Sequence, residues 1–180
     1  TTVQIGDGTY TTPVVLKNVT GYAVPGNLVI QGNNSTPANV IISTTNANGI
    51  IGIGLNVVWS VKDLQIQTAT SGAGLYALDG TYTIGYNLIF GGCANHQMYA
   101  RNRSTIAMFS NYAVSGSAQF HAAAEVSSQI LINNRTIVFS NNPAYSANTI
   151  YAGYGSIIFI FGMTFTNGAT VTGSRYACNQ

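Results

Sequence analysis

A 24-residue repeat is the feature that most constrains the fold of this 180-residue chain. Four β-branched and apolar segments, each opening with Asn or Asp, begin 24 residues apart. They cover residues 39–43, 63–67, 87–91 and 111–115, and the series continues one or two residues late at 136–140 and 162–166. An ordinary β-sandwich does not hold so fixed a spacing, whereas a solenoid built from stacked coils requires it.

Two further columns of short strand-like runs share nearly the same period. One covers residues 53–56, 76–79, 99–102, 122–125 and 151–154, and the other covers 28–30, 56–58, 82–84, 105–107, 129–131 and 156–158. Three runs per coil predict an all-β, three-sided, right-handed parallel β-helix of about six coils. Successive coils would stack about 4.8 Å apart. We expect one domain over residues 1–180, with no substantial α-helix.

The opening residues of the first column have a structural interpretation. Asn and Asp tolerate a left-handed backbone and hydrogen-bond neighbouring groups, so they favour turns. Stacked on successive coils, they predict a ladder of turn side chains rather than a catalytic group. The members of this predicted turn ladder are Asn39, Asp63, Asn87 and Asn111.

Small residues in the second column indicate which face points inward. They are Gly54, Ala77, Ala100, Ala123 and Ala152, and Leu75, Met98 and Ile150 lie two positions before three of them. We place His121 in that inward column, as a hydrogen-bonded core residue rather than a general base. The outward residues would then be Tyr76, Tyr99 and Tyr151, with Arg101 beside them. Such a column could bind a sugar or a partner chain, or be simple stacking on an exposed sheet.

The composition excludes several classes of function. Charged residues make up 6% of the chain, against about 25% in an ordinary soluble domain, and the net charge is +2. A nucleic-acid binder needs a basic stripe that is missing here, and no apolar run approaches the roughly 20 residues of a membrane helix. The sequence indicates no metal site and no cofactor. Cys93 and Cys178 are expected to be free thiols, because three coils separate them.

The best catalytic candidates are Asp79 and Glu125. The second column places them two coils apart, about 10 Å between backbones, with Asn102 between them. Carboxyl groups about 6.5–9.5 Å apart suit an inverting glycosidase, with Asp79 and Glu125 as acid and base. Stacked polar positions at strand ends also produce such a pair by chance, so the hypothesis stays secondary.

Several phrases resemble one family: residues 5–11 (Ile-Gly-Asp-Gly-Thr-Tyr-Thr), 14–18, 36–43 and 165–176. They are similar to the pectin-lyase-like β-helix proteins of tailed bacteriophages and prophages, which are tail fibres and tailspikes. The resemblance implies a homotrimeric, extracellular appendage of the virion tail, and a chain that is one piece of a longer protein. It implies no catalytic residues. The apolar run 157–165 would suit a subunit interface.

Three functions follow as hypotheses. The first is a structural and receptor-binding module that recognises a bacterial surface glycan or protein without chemistry. The second is a polysaccharide-degrading tailspike that uses Asp79 and Glu125. The third is a bacterial surface adhesin or filament subunit built on the same solenoid.

Overall fold

The computed structural model describes residues 1–19, 28–56, 58–166 and 170–179. These residues form a parallel β-solenoid of about seven turns, with almost no helix. The predicted fold class is confirmed, with one turn more than the six expected, because residues 2–16 already form the first turn. Residue 57 of the third predicted column and residues 167–169 of the last family-like phrase lie outside the described residues.

Each turn contributes one strand to each of three seven-stranded sheets, and all strand pairs described are parallel. Sheet 1 contains β1 (Thr2–Gln4), β4 (Leu28–Gln31), β7 (Val58–Lys62), β10 (Tyr82–Tyr86), β13 (Thr105–Met108), β16 (Gln129–Asn133) and β19 (Ile157–Phe161). Sheet 2 contains β2 (Gly8–Tyr10), β5 (Val40–Asn46), β8 (Gln65–Ser71), β11 (Ile89–Phe90), β14 (Tyr112–Val114), β17 (Thr136–Phe139) and β20 (Thr164–Thr166). Sheet 3 contains β3 (Val14–Leu16), β6 (Ile50–Ile53), β9 (Ala73–Leu78), β12 (His96–Arg101), β15 (Ala118–Glu125), β18 (Ala144–Gly153) and β21 (Thr172–Asn179).

The first predicted column is confirmed in register over four turns. Gln65 of β8 pairs with Ile41 and with Ile89, and Ile89 pairs in turn with Ala113. These pairs are the 24-residue spacing seen in the sequence. The last repeat differs by two residues, since Thr136 pairs with Thr164 rather than with residue 162. A longer connection between β18 and β20 absorbs the difference.

The second column is correct only where the spacing stays at 23 residues. Tyr76 pairs with Tyr99 as predicted, but Tyr99 pairs with Ala123, one position later than the sequence alignment placed it. Register shifts in β15 and β18 explain the error, because an extra residue on one strand changes the alignment downstream. Ala123 therefore lies in the outward column of Tyr99 rather than in the inward column. The predicted partner of Tyr76 in the turn below is also wrong by two residues, since Ile51 occupies that position.

The third column is confirmed from β10 to β16 and shifts at both of its ends. Tyr82, Thr105 and Gln129 pair as predicted. Gln129 then pairs with Ile157 rather than with residue 156, and Tyr82 pairs with Val58 rather than with residue 56. The core-facing residues of sheets 1 and 2 remain apolar through these shifts.

The core consists of stacked apolar columns that run along the solenoid axis. Ile42, Ile66 and Phe90 lie on successive turns of sheet 2 and are at most 1% exposed. Burial of such side chains is the main favourable term in the free energy of folding. The largest fully buried side chains also include Leu16, Ile50, Leu64, Leu75, Leu88, Met98, Ile106 and Met108.

A polar network is buried where sheets 2 and 3 meet. His121 is 2% exposed, and its Nδ1 lies 2.6 Å from Gln97 Oε1 while its Nε2 lies 2.8 Å from Tyr112 Oη. Because an amide oxygen only accepts, Nδ1 donates and Nε2 accepts from the tyrosine. Tyr145 Oη also donates to Gln97 Oε1, and the Gln97 amide nitrogen donates to the carbonyl oxygen of Gly116. His121 is thus the hydrogen-bonded core residue predicted, although it shares the column of Gln97 rather than that of Met98.

Candidate functional site

The outward face of sheet 3 carries the tyrosines singled out in the sequence. Tyr76 and Tyr99 occupy one outward column, and Tyr151 lies two turns above Tyr99 with the small residue Ala123 between them. Their inward neighbours Ala77 and Ala100 are fully buried, whereas the three tyrosines are partly exposed. The predicted orientation of this face is therefore confirmed for β9 and β12.

The rings on this face form a continuous stack, here called the aromatic ladder, made of Tyr76, Tyr99, His96, Phe120 and Tyr151. Tyr99 stacks on Tyr76, with ring centroids 4.8 Å apart and planes 11° apart, and on His96 at 4.3 Å and 7°. His96 then stacks on Phe120 at 4.9 Å, and Phe120 contacts Tyr151 at 5.6 Å. The ladder spans four turns of the solenoid.

Sequence reasoning missed His96 and Phe120. They pair with each other across β12 and β15, three residues before the Tyr99–Ala123 pair. Strict alternation would put such residues on the inward face, since an odd separation reverses the direction of the side chain. Gln97 and Met98 are both fully buried, so alternation breaks at this point and His96 turns outward. A His and a Phe 24 residues apart were the one signal available.

Stacking decides what the ladder can present to a ligand. The Tyr99 ring is stacked on two neighbours, so its faces are occupied and its edge and hydroxyl remain. A sugar that packs its apolar face on a ring needs an uncovered ring face. The middle of the ladder therefore recognises a ligand through hydroxyl groups and ring edges.

A polar cluster borders the ladder at the end of β12 and β15. Tyr99 Oη donates a 2.6 Å hydrogen bond to Glu125 Oε2, and Arg101 Nε lies 3.9 Å from the same oxygen. Arg101 and Glu125 occupy adjacent rungs, and their side chains are 48% and 23% exposed. A pair this exposed adds little to stability. It instead offers a hydrogen-bond donor and an acceptor side by side beside the ladder.

Burial keeps the ladder residues uncharged at neutral pH. Desolvation raises the pKa of Tyr76 and of Tyr99, and for Tyr99 the hydrogen bond to Glu125 acts in the same direction. Desolvation also lowers the pKa of His96 to about 4, against a partial opposing effect of Glu125. The formal charges of the cluster therefore belong to Arg101 and Glu125.

The predicted column shared by Asp79 and Glu125 is wrong. Glu125 pairs with Arg101, which pairs with Leu78, so Asp79 lies one position beyond the column of Glu125. The register shift in β15 is the reason. Asp79 lies in the following turn with φ 57°, and its Oδ1 accepts a 2.8 Å hydrogen bond from Asn102 Nδ2. Asp79 thus stabilises a turn, and Glu125 is bonded to Tyr99.

The four residues of the predicted turn ladder form separate links. Asp63 and Asn87 have φ of 57° and 48°, and Asn87 Nδ2 donates to Asp63 Oδ1 at 2.9 Å. Asn39 donates instead to Asp7 in the turn below, at 3.0 Å. Asn111 Oδ1 accepts from the backbone nitrogen of Thr136 in the turn above, at 2.8 Å. All four bonds join one turn of the solenoid to the next.

The remaining chemistry of the described residues is sparse. Within them, no three His, Cys, Asp or Glu side chains come close enough to hold a metal ion. Cys93 and Cys178 are both free, as predicted, and burial raises the pKa of the Cys93 thiol to about 12. No helix among the described residues is long and apolar enough to span a membrane.

Comparison with known proteins adds no family assignment. No family model matches the chain, and neither a curated protein nor a solved structure shows significant similarity to it.

The Tyr99–Glu125 hydrogen bond gives a first testable consequence. We expect Tyr99→Phe to lower the free energy of unfolding by about 1 kcal/mol, because a donor to a carboxylate is lost while the ring stack is kept. Thermal or urea unfolding of the two proteins measures the difference. Tyr82→Phe is a matched control, since Tyr82 is a partly exposed tyrosine on sheet 1, outside the ladder. An equal loss in both variants would contradict a special role for this bond.

Proposed function

We propose that this chain is a structural and receptor-binding module of a bacteriophage tail fibre or tailspike. It recognises a bacterial surface glycan or protein through the outward face of sheet 3, without chemistry, as part of an extracellular virion tail. The observation that carries the proposal is the aromatic ladder with Arg101 and Glu125 at its border. On a chain with 6% charged residues, this is the described surface where rings and a charged donor–acceptor pair converge.

The chemistry of the cluster favours a neutral glycan. Sugars present adjacent hydroxyl groups that donate and accept, and Arg101 and Glu125 supply both complements. Asp79 adds a second carboxylate close enough to affect Tyr76 electrostatically. One cation and two carboxylates leave the region with a formal negative charge, which disfavours an acidic polysaccharide.

Trimer formation is part of the same proposal, and the outward face of sheet 1 supports it. Ile157, Phe159 and Phe161 of β19 point away from the core and are 45%, 47% and 73% exposed. Apolar area of this kind marks a surface that another chain covers. We expect a solution mass of three chains by light scattering, unchanged on dilution. A constant mass of one chain would contradict the trimer.

The alternative is a polysaccharide-degrading tailspike that uses Asp79 and Glu125. The two residues lie in different columns, and each already serves as a hydrogen-bond acceptor. This arrangement supports binding over hydrolysis, because neither carboxyl group faces an open acid–base partner.

One experiment separates binding from hydrolysis. Purified surface polysaccharides from a panel of bacteria are immobilised, and retention of the chain is measured together with released reducing ends. We expect retention of a neutral polysaccharide without new reducing ends. Reducing ends that vanish in Asp79→Asn or Glu125→Gln would establish the enzymatic alternative, and no retention on any glycan or bacterial surface would overturn the proposal.

A further inference from the structure

Both ends of the solenoid leave core columns uncovered. Ile132 and Ile137, in the sixth turn, are 1% and 3% exposed. Their partners in the last turn, Ile160 and Phe165, are 37% and 61% exposed although they point the same way. At the opposite end Val3 is 50% exposed in the column of Ile30. Solenoids normally close such ends with polar caps, and the described end turns carry apolar side chains instead.

The two ends also carry unpaired strand edges that match each other. β1, β2 and β3 each pair on one side only, as do β19, β20 and β21 at the other end. Since every ladder is parallel, the first turn of a second copy can extend all three sheets at the last turn of the first copy. An added strand or hairpin from a different protein would satisfy one sheet and leave the other two open.

The core columns remain complementary across such a junction. The column that ends with Ile160 begins with Val3, and the column that ends with Phe165 begins with Gly8. A glycine opposite Phe165 leaves room for the exposed ring. The column that ends with Tyr176, which is 81% exposed, begins with Val14.

Hollows at the two ends fit the same contact. A cavity of about 480 Å³ opens at the last turn between Phe139, Ile150 and Phe165. A cavity of about 530 Å³ opens at the first turn beside Ile5 and Val14. Apolar hollows with protruding apolar side chains at both ends suit interdigitation of one end with the other.

We infer that the last turn of one copy binds the first turn of a second copy, and that the chains stack end to end. The contact joins two different surfaces, so it does not close on itself, and repetition gives an open filament. This association is independent of glycan binding, because the aromatic ladder faces sideways from the solenoid axis.

Two end variants test the inference with this chain as it stands. Phe165→Asp blocks the last turn and leaves the first intact, while Val3→Asp does the opposite. We expect the wild-type mass in light scattering to rise with concentration well beyond any fixed small oligomer. Each variant alone should lose that rise, and an equimolar mixture should gain one end-to-end junction through the two intact ends. Phe109→Asp is the matched control, since Phe109 is 46% exposed on the side of the solenoid, and it should still elongate.

The possible outcomes separate end stacking from other contacts. Far-ultraviolet circular dichroism and cooperative melting check that each variant folds, and Tyr176→Asp is a second block of the last turn. Electron microscopy should show rods that lengthen with concentration in the wild type. A wild-type mass that stays constant with concentration would overturn the inference, as would elongation that persists in both end variants. Loss of glycan retention in Phe165→Asp would also contradict the independence of the two surfaces.

Discussion

Replacing Phe90 with alanine should lower the free energy of unfolding by about 3–5 kcal/mol, the range for removing a fully buried Phe. Phe90 is completely inaccessible in the middle turn of sheet 2 and contacts Tyr112 edge-to-face at 5.8 Å. The turns above and below hold their positions through parallel ladders, so they cannot collapse into the space left by the ring. Equilibrium urea unfolding followed by circular dichroism measures the loss.

Phe109→Ala provides the control for this prediction. Phe109 has the same side chain, but it is 46% exposed and contacts Tyr86 on the outside of sheet 1. We expect the free energy of unfolding to fall by less than about 1 kcal/mol. Similar losses in the two variants would show that the turn containing Phe90 is not packed as described.

Acid should destabilise the protein through His121. Burial lowers the pKa of His121 to about 3, from an ordinary value of 6.5. The unfolded chain therefore takes up a proton at higher pH than the folded chain does. The stabilisation from the neutral ring is fully present above pH 6.5 and is lost as the pH falls towards 3. At about 1.36 kcal/mol per pKa unit, this group alone lowers stability by roughly 3 kcal/mol between pH 7 and pH 4.

The surroundings of His121 assign this effect to its ring. The side chains bonded to it or to its partner are Gln97, Tyr112 and Tyr145, and both tyrosines have a raised pKa, so neither changes charge in that range. Urea unfolding at several pH values, for the wild type and His121→Gln, isolates the contribution of His121 from the carboxyl groups. The variant should show a weaker loss of stability on acidification. Equal pH dependence in both proteins would be incompatible with a buried neutral His121.

The fold could be predicted from the sequence because the repeat is a direct consequence of its geometry. A ladder with one strand per turn requires a nearly constant number of residues per turn, and residues 39–115 keep that number at 24. The alignment failed where turns lengthen or strands bulge, as in β15 and β18. Spacing alone does not show on which side of a bulge an extra residue lies.

The candidate site was predictable only in part for the same reason. Tyr76, Tyr99 and Arg101 precede the bulge, and their shared outward face follows from alternation. Glu125 follows the bulge, so its contact with Tyr99 and Arg101 needed the structure. His96 and Phe120 break alternation, and ring stacking depends on side-chain directions that a sequence pattern does not contain.

The most direct test of the proposed recognition surface is the affinity of Arg101→Ala for the polysaccharide that the wild type retains. Titration calorimetry compares it with Lys62→Ala, which removes the same charge from sheet 1, where Lys62 lies over the Tyr86 ring. We expect at least a tenfold weaker affinity for Arg101→Ala, about 1.4 kcal/mol, and an affinity close to wild type for Lys62→Ala. Equal affinities of Arg101→Ala and the wild type would contradict recognition through sheet 3.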